Sequence, residues 1–173
     1  MKKGIMMLII IRVETSFITS GMAISDYSVS CKKIGQIETG GGAFAITISD
    51  KYAYVCDITP NLGGLFIIDI SDPANPTRIS RYFDGGQAQE VVVQEDIAYV
   101  ADHSDGLEII NVTDPSNPVK IGSYKVVDMY TTSVQVVGDI AFIGDLHHGL
   151  IKLNITIFLF QLKLIISLVL VLV

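Results

Sequence analysis

"IIDISDPANPTRI" (residues 67–79) returns as "IINVTDPSNPVKI" (residues 109–121), a phrase written twice in a chain of 173 residues. Superposing the two fixes a period. Asp69 to Asn111, Pro73 to Pro115 and Pro76 to Pro118 are each 42 apart, while Tyr99 to Phe142, Asp102 to Asp145 and Gly106 to Gly149 are each 43 apart. Self-similarity at that spacing marks a repeat architecture, in which each unit is one supersecondary module. Three copies follow, over residues 43–84, 87–127 and 131–156, and "KKIGQI" at 32–37 matches "VKIGSY" at 119–124 as the end of an earlier copy, a partial strand over 32–38.

Each copy contains four short segments rich in Ile, Val, Tyr and Phe. They are divided by "SD", "QED" or "GD", then by a Gly-Leu entry, then by "DPxNP". β-Branched content and period-two alternation, with no sustained helical spacing, predict strands of about five to six residues. The quoted phrase is the turn between the third and fourth strands. Asp72 and Asp114 can accept hydrogen bonds from the backbone two residues on, Pro73 and Pro115 fix φ, and Asn75 and Asn117 precede a second proline that forbids helix. Pro76 and Pro118 lack an N–H, so they belong at the first residue of an outer strand. Four antiparallel strands every forty-odd residues predict the blade of a β-propeller, in an all-β, incomplete array of two full blades and partial ones. A β-solenoid and a sandwich are the alternatives.

The motif "GLxIxDVSDPxxPxxxG" with "xAYVAD" resembles the LVIVD repeat family over about residues 32–156, with Asn111 and Asn154 in place of the usual aspartate and no "DP" turn in the third copy. The resemblance implies a propeller fold in proteins often secreted or held at the cell surface. It brings no catalytic residues with it.

Charge is unevenly spread. Residues 1–33 carry a net +3 and residues 34–156 a net −10, within a total of −6. An acidic body without a basic stripe repels a phosphate backbone, so nucleic acid is not an expected partner. The two cysteines, Cys31 and Cys56, show no metal spacing. Cys56 aligns with Ala101 and Gly144, which predicts a small buried residue, with a disulfide to Cys31 as the alternative.

Both ends of the chain read differently from the middle. "MKKGIMMLIII" has a basic start and an apolar run and "GMA" at 21–23 offers a cleavage position, so residues 1–31 are expected to be a leader, interrupted by Arg12 and Glu14. After "LNIT" the repeat gives way to "IFLFQLKLIISLVLVLV" at 157–173. That tail reads as a membrane anchor carrying one costly lysine, Lys163, as a last strand, or as an out-of-frame end. With too few blades to close a ring, on the order of 400 Å² of bare apolar flank would forfeit roughly 10 kcal/mol. Self-association, a partner or further blades would be needed to cover it.

Alternating strand direction puts the loops after strands two and four on one face. That face collects Asp57, Asp102, His103, Asp105, Asp145, His147 and His148, with Asp84, Asp128 and Tyr130 from the connections between blades, and it is the candidate binding face. Histidine beside carboxylate can hold a divalent metal or move protons. His103 aligns with Leu146 and not with His147, however, and adjacent His147 and His148 should point apart. No metal, cofactor or catalytic residue is therefore expected. The recurring Asp57, Asp102 and Asp145 are read as acceptors for turn amides, and Tyr52, Tyr54, Tyr99 and Phe142 as blade contacts. "GGG" at 40–42 lacks the lysine and helix of a phosphate loop, and no serine stands in a nucleophile elbow. The Asn111-Val-Thr113 and Asn154-Ile-Thr156 glycosylation patterns fall on the repeat's aspartate position, which makes chance agreement the better reading.

The functional expectation is a non-catalytic, secreted or surface-attached repeat protein that engages a protein or cell-surface partner through loops, with membrane attachment through 157–173 and self-association as further possibilities. A metal-dependent propeller hydrolase, and a gene remnant without independent function, are the alternatives.

Overall fold

The computed structural model describes residues 30–155. Backbone proximity divides the chain into Met1–Lys32 and Lys33–Val173. Of the first unit residues 30–32 are described, without regular structure, so the leader expected over 1–31 and the tail over 157–173 lie outside the described residues. Everything below concerns the second unit.

That unit contains three antiparallel sheets. The first is β1 (Ala43–Ser49), β2 (Tyr52–Asp57), β3 (Gly64–Asp69) and β4 (Thr77–Tyr82); the second is β5 (Glu90–Gln94), β6 (Ile97–Ala101), β7 (Leu107–Asn111) and β8 (Val119–Tyr124). The third is β9 (Thr131–Val137), β10 (Ile140–Asp145) and β11 (Gly149–Asn154). In each sheet the strands pair in sequence order. Among the described residues there is no helix, hence none long and apolar enough to cross a membrane. These are the blades the repeat predicts, and together they form an open propeller-like array.

Repetition extends to the irregularities. β3 and β4 slip register between Ile67 and Ile68, which face Ser80 and Arg78, and β7 and β8 slip between Ile109 and Ile110, which face Gly122 and Lys120. Ile79 and Ile121 are therefore the extra residues of the same β-bulge in two blades. The DPxNP turns form as the sequence requires. Asp72 accepts the Ala74 amide at 3.0 Å and Asp114 that of Ser116 at 3.0 Å, and the Asn75 and Asn117 amides each donate to the aspartate carbonyl at 3.0 Å. Strands β4 and β8 start one residue after Pro76 and Pro118. Asn111 does the work of Asp69, accepting the Thr113 amide at 2.9 Å where Asp69 accepts that of Ser71 at 2.8 Å.

Alternation along the strands sends neighbouring residues to opposite flanks of a blade. Cys56, Leu65 and Ile67 pack with Ala88, Val91, Val100 and Ile110 between the first two blades. Tyr99, Leu107 and Ile109 pack with Met129, Val134 and Ile143 between the second and third. β6 is therefore buried along its whole length. Tyr54 and Tyr99 are buried, Tyr52 and Phe142 half-buried. Cys56 is a free, fully buried thiol whose pKa is pushed well up, first by burial and then by Asp102 and Glu90, as suits a packing residue rather than a reactive one.

The other flank of the first blade presents Ala53, Val55, Phe66 and Ile68, partly covered by Ile37 and Ile70. Residues 32–38 do not form the partial strand that the sequence predicts, and residues 34–38 line this flank. They correspond to a fourth strand, and no sheet among the described residues receives it. A groove of about 660 Å³ remains, floored by this flank and walled by Phe44 and Ile46.

Candidate functional site

The loops after β2, β6 and β10, and the connections β4–β5 and β8–β9, lie on one face, opposite the DPxNP turns. Two glycines open these loops into the third strand. Gly64 and Gly106 have φ of +108° and +80°, and a Cβ on either would run into the carbonyl oxygen of Tyr82 or Tyr124.

The aspartates that end β2 and β10 serve their own loops. Asp57 is fully buried and accepts the Thr39 hydroxyl at 2.7 Å, the Thr59 amide at 2.8 Å, the Gly42 amide at 3.3 Å and the Thr59 hydroxyl. Burial works against its charge, but these donors outweigh it and hold the carboxyl below its ordinary value. Asp145 accepts the amides of Tyr130 at 2.6 Å, His147 at 3.0 Å and His148 at 2.8 Å, and the His148 Nδ1 at 2.9 Å. Burial again opposes the charge, and the His148 side chain followed by the amides overcomes it, bringing Asp145 to about 2.

Around Asp145 the structure gathers three rings from three loops. His103 meets Tyr130 edge-on at 4.7 Å between centroids and Tyr130 meets His147 at 4.7 Å, so Tyr130 is the middle of a ladder spanning the second and third blades. His103 sits in the left-handed region, φ +43°, and its carbonyl accepts the Thr131 amide at 2.9 Å and hydroxyl at 2.9 Å. His147 donates from Nδ1 to the Asp128 carbonyl at 2.7 Å, away from His148. Asp105 forms an exposed ion pair with Lys125 at 2.9 Å. Asp57 stays in the loop of its own blade, apart from this ladder.

Asp102 differs from both of its counterparts. It is buried, and its Oδ1 has no hydrogen-bond partner. Burial, then the charges of Asp84 and Asp105, raise it to about 6 against a bond from the Gln87 backbone. Beside it lies Glu108, also buried, raised to about 8 by burial first and then by its bond to Asp84. Lys120 bonds Asp84 Oδ2 at 3.2 Å and pairs closely with Glu108 Oε1, and these partners raise its pKa against the burial that would lower it. Among the described residues, Asp84, Asp102 and Glu108 are the acid, histidine or cysteine groups close enough to share an ion, with ligand atoms within 4.8 Å of one another. No histidine belongs to that group.

Sequence reasoning placed Asp84 on this face but passed over Glu108 and Lys120. The signal was present: Glu108 stands in the repeat where the other copies have Phe66 and Ile151, both apolar. Lys120 stands where the first copy has Arg78, whose guanidinium lies 4.7 Å from the Phe66 ring centroid. An acid has replaced an aromatic, and the neighbouring cation has changed from a ring partner to an ion-pair partner.

No curated protein matches the chain. A family model described as the LVIVD repeat matches residues 40–84 and 85–126, the first two blades in turn. Its two matches cover half of the sequence and coincide with two sheets sharing one bulge, one turn and one Gly-Leu entry, and the chain accordingly belongs to the LVIVD repeat family of β-propeller-type repeats.

Proposed function

We propose that the protein is a non-catalytic interaction module, secreted or attached at the cell surface, that engages a protein partner through the loop face of its blades. The observation that carries this reading is the His103–Tyr130–His147 ladder, assembled from three separate loops on an acidic body, with His103 and Tyr130 half-buried and His147 exposed. Tyrosine and histidine rings offer large, stiff contact area with polar tips, the composition favoured at recognition surfaces. Asp145 supports a non-catalytic role, because both its oxygens are occupied by three amides and His148 and are not available to a substrate. A metal-dependent hydrolase would need those same groups to leave their turn.

A photo-crosslinking residue placed at Tyr130 tests the reading against one placed at Asp114, on the opposite face. One discrete partner captured at 130 and not at 114, with binding lost in the folded His103→Ala and His147→Ala variants, is the expected result. Equal capture at both positions sinks the assignment of the face. Hydrolytic turnover lost with His147→Ala and His148→Ala would establish the enzyme instead. Export is checked separately by fractionation and by sequencing the mature amino terminus.

A further inference from the structure

We propose that Asp84, Asp102 and Glu108 form a binding site for a hard divalent cation, calcium by size, at the junction of the first and second blades. This departs from the sequence expectation of no metal, and it uses none of the histidines on the loop face. Calcium takes carboxylate oxygens at about 2.3–2.6 Å, so oxygens on opposite sides of one ion stand about 4.8 Å apart. The three carboxylates place their ligand atoms within that span.

The buried carboxylate of Asp102 shares this cluster with the other two acids while its Oδ1 is left without a hydrogen-bond partner, which gives the cluster an unfilled ligand position. A turn-building aspartate would be saturated, as Asp57 and Asp145 are. Asp102 is held in place: the Gln87 backbone bonds it, and Gly86 packs so close to its carboxylate that no Cβ would fit. Glu108 is likewise no part of the repeat's scaffold, since its counterparts are Phe66 and Ile151. Two blades thus converge on an acidic centre that the neighbouring junction lacks.

Lys120 is the resident competitor, and its charge is insufficient. One ammonium serves three carboxylates, bonding Asp84 Oδ2 and Glu108 Oε1, with no hydrogen bond to Asp102 Oδ1. Its side chain is 35% exposed, so it can swing outward or stay as a cover while a divalent ion takes the inner oxygens. The cleft, between Gly64, Tyr82 and Gly86, is too narrow for an organic molecule. An ion coordinated directly by oxygen is the class of ligand that fits.

The test uses the full-length chain in metal-free buffer, titrated with Tb³⁺ as a luminescent stand-in and then with Ca²⁺. The Tyr82 hydroxyl lies 3.3 Å from Asp84 Oδ2, and the chain has no tryptophan, so tyrosine excitation reports an ion at this site. Saturable emission displaced by Ca²⁺ is expected, with affinity at least tenfold weaker in Asp102→Asn and in Glu108→Gln. Asp96→Asn, in a turn on the opposite face, should leave it unchanged. Lys120→Gln removes the competing charge while keeping every ligand, and should tighten Ca²⁺ binding several-fold. Emission that does not saturate by millimolar Tb³⁺, Ca²⁺ that does not displace it, affinity that survives both ligand substitutions on folded protein, or weaker binding in Lys120→Gln would each overturn the site.

Discussion

Asp57, the last residue of β2, and Asp102, the residue just after β6, hold the same repeat position in adjacent blades, yet Asp102 Oδ1 meets no donor while Asp57 takes the Thr39 hydroxyl at 2.7 Å on one oxygen and the Thr59 amide at 2.8 Å on the other. The repeat supplies the same residue and the loops decide its state. The loop after β2 brings a threonine two residues on, whereas after β6 that place is held by Ser104 and the carboxylate faces Asp84 and Glu108. One aspartate builds a turn and the other stands exposed to the charge of its neighbours.

Opposite effects on stability should follow. Asp145→Ala, which strips three amides and His148 of their acceptor, should cost about 1.5–3 kcal/mol, the range for bonds to a charged group. Asp102→Asn in metal-free buffer at pH 8 removes a poorly solvated charge and should leave stability unchanged or raise it. Urea unfolding followed by circular dichroism distinguishes the two, and equal losses at both positions would contradict the contrast.

The acidic junction also sets a pH dependence. Glu108, raised from its ordinary 4.5 to about 8, keeps a proton in the folded chain that the unfolded chain releases. Between those values the unfolded state binds fewer protons, so stability falls as pH rises, on the order of 5 kcal/mol across the window. Asp102, raised from 3.8 to about 6, adds the same sign over its own narrower range. Asp145, lowered to about 2, acts oppositely, its stabilisation being lost only as pH drops below about 4. Glu108→Phe restores the first blade's residue and lets Lys120 lie on a ring as Arg78 does. Its denaturation midpoint should change much less between pH 5 and pH 8 than that of the parent chain.

What the letters revealed and what they hid divides along contact distance. The DPxNP turns were legible because Asp72 and Asp114 bond amides two residues away, so the turn is complete within the phrase that encodes it. The three sheets were legible because the same strands return in the same order. The junction acids were not, since Asp84 leaves one blade while Asp102 follows β6 and Glu108 and Lys120 belong to β7 and β8 of the next, and these groups meet only where the two blades pack together. The ring ladder escaped for a related reason: His103 and His147 do not share a register position, but loops of adjacent blades converge on Tyr130 without needing to. Residues 32–38 show the converse, a strand-like phrase with no ladder to join among the described residues.

The clamp beneath the ladder should be measurable. Thr131 is fully buried, and its hydroxyl reaches the carbonyls of His103 at 2.9 Å and Gly106 at 2.8 Å, joining the second blade's loop to the third blade's inner strand. Thr131→Val keeps shape and removes the hydroxyl, so about 1–2 kcal/mol should be lost. Hydrogen exchange should quicken at the Asp105 and Gly106 amides, and unaltered protection there would show that the hydroxyl does not hold the loop.

The bare flank of the first blade should govern association. Phe44, Ile46 and Ile48 on β1 are 60%, 63% and 64% exposed, while Ala45, between them, packs toward the second blade. Three large apolar side chains in a row beside a groove floored by Val55 and Ile68 form a surface that water disfavours and another apolar surface would cover. Replacing all three by Thr keeps residues that favour a strand and removes most of the aliphatic and aromatic area. Because the positions are already solvated, unfolding free energy should change by less than about 1 kcal/mol. Sedimentation velocity over a concentration series should show weaker self-association than the parent full-length chain at matched concentrations. If the two chains sediment alike, contacts formed elsewhere dominate, and the flank is tolerated by the molecule as it stands.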